Sequence, residues 1–262
     1  MIRDREAIDA FLAQVRRLVR EQLVPREAEV AEADAIPADI VARMRGLGLF
    51  GMSIPEAHGG LGLTMEEEAL VAMELGGASP AFRSMIGTNN GIGSQGIVID
   101  GTEAQKARWL PRMASGEVIG SFALTEPDAG SDAASLRTTA RRDGDGWVLD
   151  GTKRYITNAP QAGLFTVFAR SAPDRKGAAG VSAFLVEAGA PGLRLGRPDR
   201  KMGQRGAQTC DVVLESCRVP GDALLGGREC EGFRTAMKVL DRGRLHISAV
   251  CVGVAARLLD DA

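Results

Sequence analysis

The chain has 262 residues, with 32 Lys and Arg against 34 Asp and Glu, and its formal net charge is −2. This balance gives no electrostatic reason to expect binding to nucleic acid or to an anionic membrane surface. Hydrophobic residues make up 45% and charged residues 25% of the chain, which is average for a folded, water-soluble protein. The length allows one large domain or two smaller ones with a sizeable core.

Neither a targeting signal nor a membrane span is expected. The N-terminal sequence MIRDREAIDAFLAQVRR carries a charge every few residues, and no later apolar run approaches the roughly 18 residues that a membrane span needs. The four cysteines include no Cys-x-x-Cys pair, which argues against a zinc site and is typical of a reducing compartment. We therefore predict a cytoplasmic protein without a metal site.

Helical periodicity dominates the first part of the chain. Apolar residues recur at three- and four-residue intervals from Ile8 to Val19, which predicts an amphipathic helix that ends or bends at Pro25. A second helix is predicted from about Pro37 to the glycine at position 46.

Two capping boxes predict further helices. Thr64 precedes Glu67 by three residues, and Thr102 stands in the same relation to Gln105. Between them, residues 79–100 contain several glycines and fit neither a helical nor a strand pattern.

The pattern changes near Gly120 to short runs rich in Val, Thr, Phe and Leu, with a hairpin turn signal at Asp143–Gly146. Several short strands without helices between them predict an antiparallel sheet, as a barrel or a sandwich. From about Glu231 the helical period returns, as one helix of roughly 45 Å with apolar residues on more than one face. Such a helix needs covering by the N-terminal helices, by another subunit, or by further chain.

The predicted fold class is α+β, in three parts. Residues 1–118 are expected to form an N-terminal helical domain and residues 119–228 a middle antiparallel β domain. Residues 229–262 form the long final helix.

Three familiar patterns lack the context that their chemistry requires. Gly91–Gly96 matches the dinucleotide pattern G-x-G-x-x-G, but no strand leads into it. Gly146–Lys153 approaches a phosphate-binding loop, but Thr-Lys replaces Lys-Ser/Thr within a predicted strand. His58 and His246 have no triad context, which disfavours serine-nucleophile chemistry.

Two segments together indicate a ligand site. Residues 122–132, FALTEPDAGSD, are typical of a strand end that breaks into a turn with exposed amides, hydroxyls and carboxylates. Residues 151–158, GTKRYITN, add an aromatic ring that can stack and a hydroxyl that can donate. Either segment alone is better explained as an ordinary turn. Within the first, Glu126 is predicted to hydrogen-bond the turn rather than to catalyse.

Four blocks in this order resemble the acyl-CoA dehydrogenase family: ALTEPDAGSD, LDGTKRYITN, DRKMGQRGAQTCDVVLESCRVP and GFRTAMKVLDRGR. The similarity runs from about residue 5 to residue 262. The resemblance implies an N-terminal helical domain, a middle β domain and a C-terminal four-helix bundle, of which residues 229–262 supply the first helix. The bundle is then incomplete, so we expect the sequence to be C-terminally truncated relative to the family.

The resemblance also implies bound FAD. Leu124 and Thr125 correspond to residues at the pyrimidine edge of the flavin, and Ser131 to one facing both flavin and substrate. Tyr155 stands where the family has Trp, and a flat ring that can stack is retained. The implied cofactor-binding residues are Phe122, Leu124, Thr125, Gly130, Ser131, Tyr155, Ile156 and Thr157.

For the substrate, the resemblance assigns Ser131, Asp241 and Arg244 to the acyl-CoA channel. The catalytic glutamate of most members lies beyond the position that corresponds to residue 262. A minority carry it on the first bundle helix, where this sequence has Gly243. No catalytic base is therefore predicted within the chain, and we expect the activity of the chain as given to be impaired.

The implied activity is α,β-dehydrogenation of an acyl-CoA thioester to a 2-enoyl-CoA, with electrons passed to an electron-transferring flavoprotein. The resemblance implies a homo-oligomer, a tetramer in the family. One alternative is a non-catalytic subunit or fragment that binds flavin or acyl-CoA. The second is an acyl-CoA oxidase or a related flavin monooxygenase. The retained LDRGR segment favours a CoA substrate.

Overall fold

A computed structural model describes residues 1–262. Eight helices are present: α1 (Arg5–Leu18), α2 (Glu27–Ala33), α3 (Ala38–Gly46), α4 (Met65–Leu75), α5 (Pro80–Asn90), α6 (Gln95–Asp100), α7 (Glu103–Ala114) and α8 (Gly232–Asp261). Seven strands lie between α7 and α8: β1 (Gly120–Ala123), β2 (Thr139–Asp143), β3 (Gly146–Thr157), β4 (Leu164–Arg170), β5 (Val181–Glu187), β6 (Leu193–Leu195) and β7 (Thr209–Val219). No helix combines the length and the apolar character that crossing a bilayer requires.

The N-terminal helices form where the sequence predicts them. Asp4 caps α1 by accepting a hydrogen bond from the backbone N–H of Ala7 at 3.0 Å. A π turn and a short 3-10 turn then carry the chain past Pro25, so the proline bends the path into α2. Both predicted capping boxes are present, at the starts of α4 and α7. The apolar stripe of α1 is buried through Ile8, Leu12, Val15 and Leu18.

Residues 79–100, for which the sequence favoured no element, form α5 and α6. Tertiary contacts outweigh the low helix propensity of their glycines. The Asn89 side chain donates hydrogen bonds to the carbonyls of Met113 and Val118, at 2.9 and 2.8 Å. Its amide oxygen accepts one from the Gly120 N–H at 2.8 Å, which ties α5 to the start of the sheet.

The β domain is one seven-stranded sheet, in the order β1-β4-β2-β3-β7-β6, with β5 paired to β4. The prediction of an antiparallel domain needs one correction, because β1 and β2 each pair with β4 in parallel. The β2–β3 hairpin is inserted between β1 and β4 in sequence, so these neighbours are not joined by a tight turn. The hairpin itself is confirmed, with Asp143 opposite Gly146.

The final helix, α8, joins the two parts of the molecule. Its first turns carry Phe233, Met237 and Leu240 against a core shared with α7 and the sheet. Further along, α8 packs on α4 so closely that a Cβ on Gly253 would lie 2.0 Å from the Met73 carbonyl oxygen. The helix therefore bridges the N-terminal helices and the sheet, and its other side exposes Leu245, Ile247, Val252, Leu258 and Leu259.

Candidate functional site

A cavity of about 490 Å³ opens where the end of β1, the end of β3 and the first turns of α8 meet. It collects residues from the two segments that the sequence singled out, although these lie about thirty positions apart in the chain. Arg244 also lines it, whereas Asp241 does not. All eight predicted cofactor residues line this cavity: Phe122, Leu124, Thr125, Gly130, Ser131, Tyr155, Ile156 and Thr157.

An irregularity in β3 shapes one wall of this cavity. The register with β7 shifts between Lys153 and Ile156, and Tyr155 adopts a positive φ of 57°. A β-bulge of this kind redirects side chains, and here the Tyr155 side chain points outward while Ile156 is buried. The Arg154 guanidinium lies 4.6 Å from the centroid of the Tyr155 ring and is itself held by Asp211. Tyr155 is 62% exposed, so its ring is open to a planar ligand.

The opposite wall is the turn that follows β1. The carbonyl of Thr125 accepts a hydrogen bond from the Arg154 N–H at 2.8 Å, which joins the turn to the bulge. Glu126 and Ala129 exchange backbone hydrogen bonds of 3.0 and 3.2 Å, which close the turn on itself. Both walls are thus held by main-chain contacts before any ligand is present.

Beneath the turn lies a buried ion pair. The Lys153 ammonium, 0% exposed, donates to Glu126 Oε1 at 2.7 Å and to the Leu124 carbonyl at 3.2 Å. Glu126 also accepts hydrogen bonds from the backbone N–H groups of Arg137 and Thr138, at 2.6 and 2.9 Å. These contacts agree with the prediction that Glu126 organises the turn.

The two charges respond differently to this environment. Burial lowers the pKa of Lys153 to about 8, against the opposing attraction of Glu126. Burial raises the pKa of Glu126, but Lys153 and the surrounding donors outweigh it and keep that pKa below its ordinary value. The sequence alone did not identify Lys153 as the partner of Glu126. A lysine within a predicted strand of a β domain was the available signal, because a buried lysine is rare unless it is paired.

The donors around the cavity suit a flat heterocycle. The hydroxyls of Thr125, Ser131 and Thr157 line it and make no hydrogen bond to another residue, since Thr157 uses only its carbonyl to accept from Ser121. Leu124 and Ile156 contribute apolar surface beside them. Apolar walls with a few convergent free donors are typical of cofactor sites, so these residues fit FAD.

A second cavity, of about 370 Å³, adjoins the first. Ile92, Thr157, Leu240 and Arg244 line both cavities, so the two lie side by side. Gly243 lines the second cavity, and a Cβ there would meet only Ile92, at 3.6 Å. Asp241 lies outside, 73% exposed through its side chain, and forms an ion pair with Arg244.

The second cavity is lined by polar groups that lie far apart in the sequence. Glu68, 1% exposed, pairs with Arg242 from α8. His246 is also buried, and its Nδ1 accepts a hydrogen bond from Arg83 Nε at 3.0 Å. Charged residues at the core-facing positions of α4 and α5 could have indicated a buried polar site. Only the tertiary structure brings these residues onto the same cavity.

Burial shifts the pKa values of this second group strongly. Desolvation raises the pKa of Glu68 to about 7, although Arg242 opposes the change. Desolvation, together with Arg83 and Arg242, lowers the pKa of His246 to about 3, so its imidazole is neutral at pH 7. Arg83 carries no acidic partner.

Comparison with known proteins identifies the family of the chain. Residues 5–117 match the family model "Acyl-CoA dehydrogenase, N-terminal domain", and residues 121–217 match "Acyl-CoA dehydrogenase, middle domain". The chain belongs to the acyl-CoA dehydrogenase family. The family assignment expected from the four sequence blocks is therefore confirmed, as is the fold class.

Two curated relatives cover nearly the whole chain. The short-chain specific acyl-CoA dehydrogenase, mitochondrial, of Homo sapiens is 40% identical over 97% of this chain and 61% of its own length. An acyl-CoA dehydrogenase of Bacillus subtilis is 37% identical over 95% of this chain and 65% of its own length. This acyl-CoA dehydrogenase family member thus spans less than two thirds of these relatives.

Solved structures show the same fold. Butyryl-CoA dehydrogenase from Megasphaera elsdenii superposes with a TM-score of 0.92 at 31% identity, covering 97% of this chain and 67% of the other. A chain in the structure of the electron transferring flavoprotein of Acidaminococcus fermentans gives 0.93 at 34% identity, covering 99% and 68%. A glutaryl-CoA dehydrogenase from Mycobacterium smegmatis in complex with FADH2 gives 0.86 at 35% identity, covering 97% and 63%.

Proposed function

We propose that this protein acts in the FAD-dependent α,β-dehydrogenation of an acyl-CoA thioester to a 2-enoyl-CoA. The observation that carries the proposal is that one cavity is lined by all eight residues that the resemblance assigns to flavin binding, with a second cavity beside it. Family membership supports the same reaction class.

In this proposal the first cavity binds FAD. The ring of Tyr155 stacks on the isoalloxazine, and the free hydroxyls of Thr125 and Thr157 donate to its polar edges. Leu124 and Ile156 exclude water from the ring. When bound, FAD supplies the acceptor for the hydrogen that leaves the β-carbon.

The acyl group then lies in the second cavity beside Arg244, which Asp241 holds, and Ser131 faces the substrate from the first cavity. Removal of the α-proton requires a general base beside the thioester, and the family resemblance implies a glutamate. Gly243 offers none on α8, so we place the base outside these 262 residues.

For partners, we propose that the electrons pass to an electron-transferring flavoprotein, a class to which the Acidaminococcus structure belongs. We propose a homo-oligomer because α8 exposes Leu258 and Leu259, at 63% and 78%. A cytoplasmic location is proposed from the four unpaired cysteines.

The visible absorption spectrum of the purified protein, followed by anaerobic titration with butyryl-CoA, tests the proposed function. We expect an absorption band that corresponds to one flavin per protein chain. We expect butyryl-CoA to bleach that band once a catalytic base is available. A protein that remains colourless after incubation with FAD contradicts the proposal. Bound flavin that no acyl-CoA bleaches, even with a base supplied, favours the non-catalytic alternative, and rapid oxygen consumption favours an oxidase.

Replacing Gly243 with glutamate is expected to speed flavin reduction by butyryl-CoA by at least about 10-fold, because a positioned general base contributes about 100- to 10,000-fold. Space for the side chain is present, since the nearest atom to a Cβ is 3.6 Å away. Stopped-flow absorbance measures the rate. Gly203→Glu, on an exposed loop where a Cβ meets nothing within 4 Å, is the control. Equal rates in both variants would argue against a reacting carbon near Gly243.

A further inference from the structure

The bulge in β3 brings two consecutive side chains together at the wall of the first cavity. Arg154 and Tyr155 of β3 stand opposite one residue of β7, Asp211, because the pairing register shifts there. In a regular strand, neighbouring side chains point to opposite faces of the sheet. Here the Arg154 guanidinium carbon lies 4.6 Å from the centroid of the Tyr155 ring, so the bulge lets the two side chains meet.

Two carboxylates fix the Arg154 guanidinium against that ring. Its Nη1 donates to both Asp211 oxygens, at 2.8 and 2.9 Å, and its Nη2 lies 3.5 Å from Asp199 Oδ1. Asp199 is held in turn, since its Oδ2 accepts a hydrogen bond from the Thr209 hydroxyl at 2.9 Å. A planar guanidinium stacks on aromatic faces, and ion pairs on its far side keep it in one orientation.

The Tyr155 ring has little other support. It is 62% exposed, and the chain's aromatic pairs are formed by other residues. Arg154 makes the one cation–π contact on this ring. The ring also lines the first cavity, so the contact with Arg154 sets the orientation that the ring presents there.

We propose that Arg154 is a positioning residue, which holds one face of the Tyr155 ring and leaves the other face for the isoalloxazine of FAD. This inference rests on the proposed function, which places FAD in the first cavity. Ordering a mobile side chain on binding weakens association, so a ring that is already held binds the flavin more tightly. The main chain of Arg154 serves the same site, because its N–H donates to the Thr125 carbonyl at 2.8 Å.

The motion of the Tyr155 ring in the FAD-free protein tests the positioning. Tyr155 is the only tyrosine of the chain, so NMR relaxation of protein made with isotope-labelled tyrosine reports this ring alone. We expect a restricted ring in the wild type and a more mobile ring in Arg154→Met. Arg197→Met, at an exposed arginine between β6 and β7, is the control and is expected to match the wild type. Equal ring mobility in Arg154→Met and the wild type would overturn the inference.

The affinity for FAD shows whether the held ring serves the cofactor. Titration followed by flavin fluorescence is expected to give a Kd about 2- to 10-fold higher for Arg154→Met than for the wild type, from the ordering cost of one side chain. In the Tyr155→Leu background the same change is expected to leave the Kd unaltered, because no ring remains to be positioned. An equal loss of affinity in both backgrounds would contradict the proposal, since Arg154 would then act independently of the ring.

A milder variant and the wild type complete the test. Asp199→Asn removes one of the two carboxylates and keeps Arg154, and we expect it to loosen the ring and weaken FAD binding by a smaller factor if Arg154→Met does not fold. A wild type that binds FAD with the same Kd as Arg154→Met overturns the inference alone. If the wild type binds no FAD, the proposed function fails, and the inference falls with it.

Discussion

Replacing Lys153 with methionine is expected to lower the free energy of unfolding by about 3 to 5 kcal/mol, because it leaves a buried carboxylate without its partner. Lys153 is fully buried, and its ammonium contacts both Glu126 and the Leu124 carbonyl. The loss is expected to reach the candidate flavin site, since the same pair supports the turn at Thr125 and Glu126. Urea denaturation followed by circular dichroism measures the change in stability.

Two further variants show whether the pairing itself is responsible. Glu126→Gln retains hydrogen-bonding atoms but leaves the lysine unpaired, and we expect it to be destabilising as well. The double variant Glu126→Gln with Lys153→Met removes both charges and is expected to be more stable than the sum of the two single changes implies, by about 1 to 3 kcal/mol. Strict additivity of the three measurements would contradict a direct interaction between the two side chains.

The stability of the protein is expected to depend on pH through His246. Burial, Arg83 and Arg242 lower the pKa of His246 to about 3, below its ordinary value of 6.5. Between these two values the unfolded chain binds a proton that the folded chain does not. Stability is therefore fully retained above pH 6.5 and is lost progressively as the pH falls towards 3.

Glu68 acts in the opposite direction in the same cavity. Its pKa is raised to about 7 from 4.5, so the folded chain binds the extra proton between these values and gains stability as the pH falls. A comparison with His246→Gln isolates the histidine contribution, because Glu68 is present in both proteins. Between about pH 7.5 and about pH 5, the free energy of unfolding of the wild type is expected to fall by about 2 kcal/mol more than that of the variant. This difference corresponds to about 1.4 kcal/mol for each pH unit below 6.5.

Denaturation curves at both pH values measure this difference, with the half-buried His58 replaced by glutamine as the matched control. The His58→Gln protein is expected to follow the wild type. Parallel losses of stability in the wild type and in His246→Gln would show that the imidazole is not held neutral by its surroundings.

Local patterns were sufficient for much of the fold. The capping boxes at Thr64 and Thr102 formed as predicted because both partners lie within one turn of helix. The Asp143–Gly146 hairpin formed for the same reason, as its contacts are close in sequence. Residues 79–100 could not be assigned, because their helices depend on distant contacts such as that between Asn89 and Gly120.

The sequence by itself determined the family, the fold class and eight of the residues that line the candidate flavin cavity, since those eight lie in two contiguous segments whose order is readable. Tertiary structure alone decided the parallel pairing of β1 with β4, the burial of Lys153 against Glu126, and the position of Arg83 against His246. The partners in the last two pairs are 27 and 163 positions apart. A charge in a sequence does not reveal its partner, because pairing is set by which helix faces and strand ends the folded chain brings together.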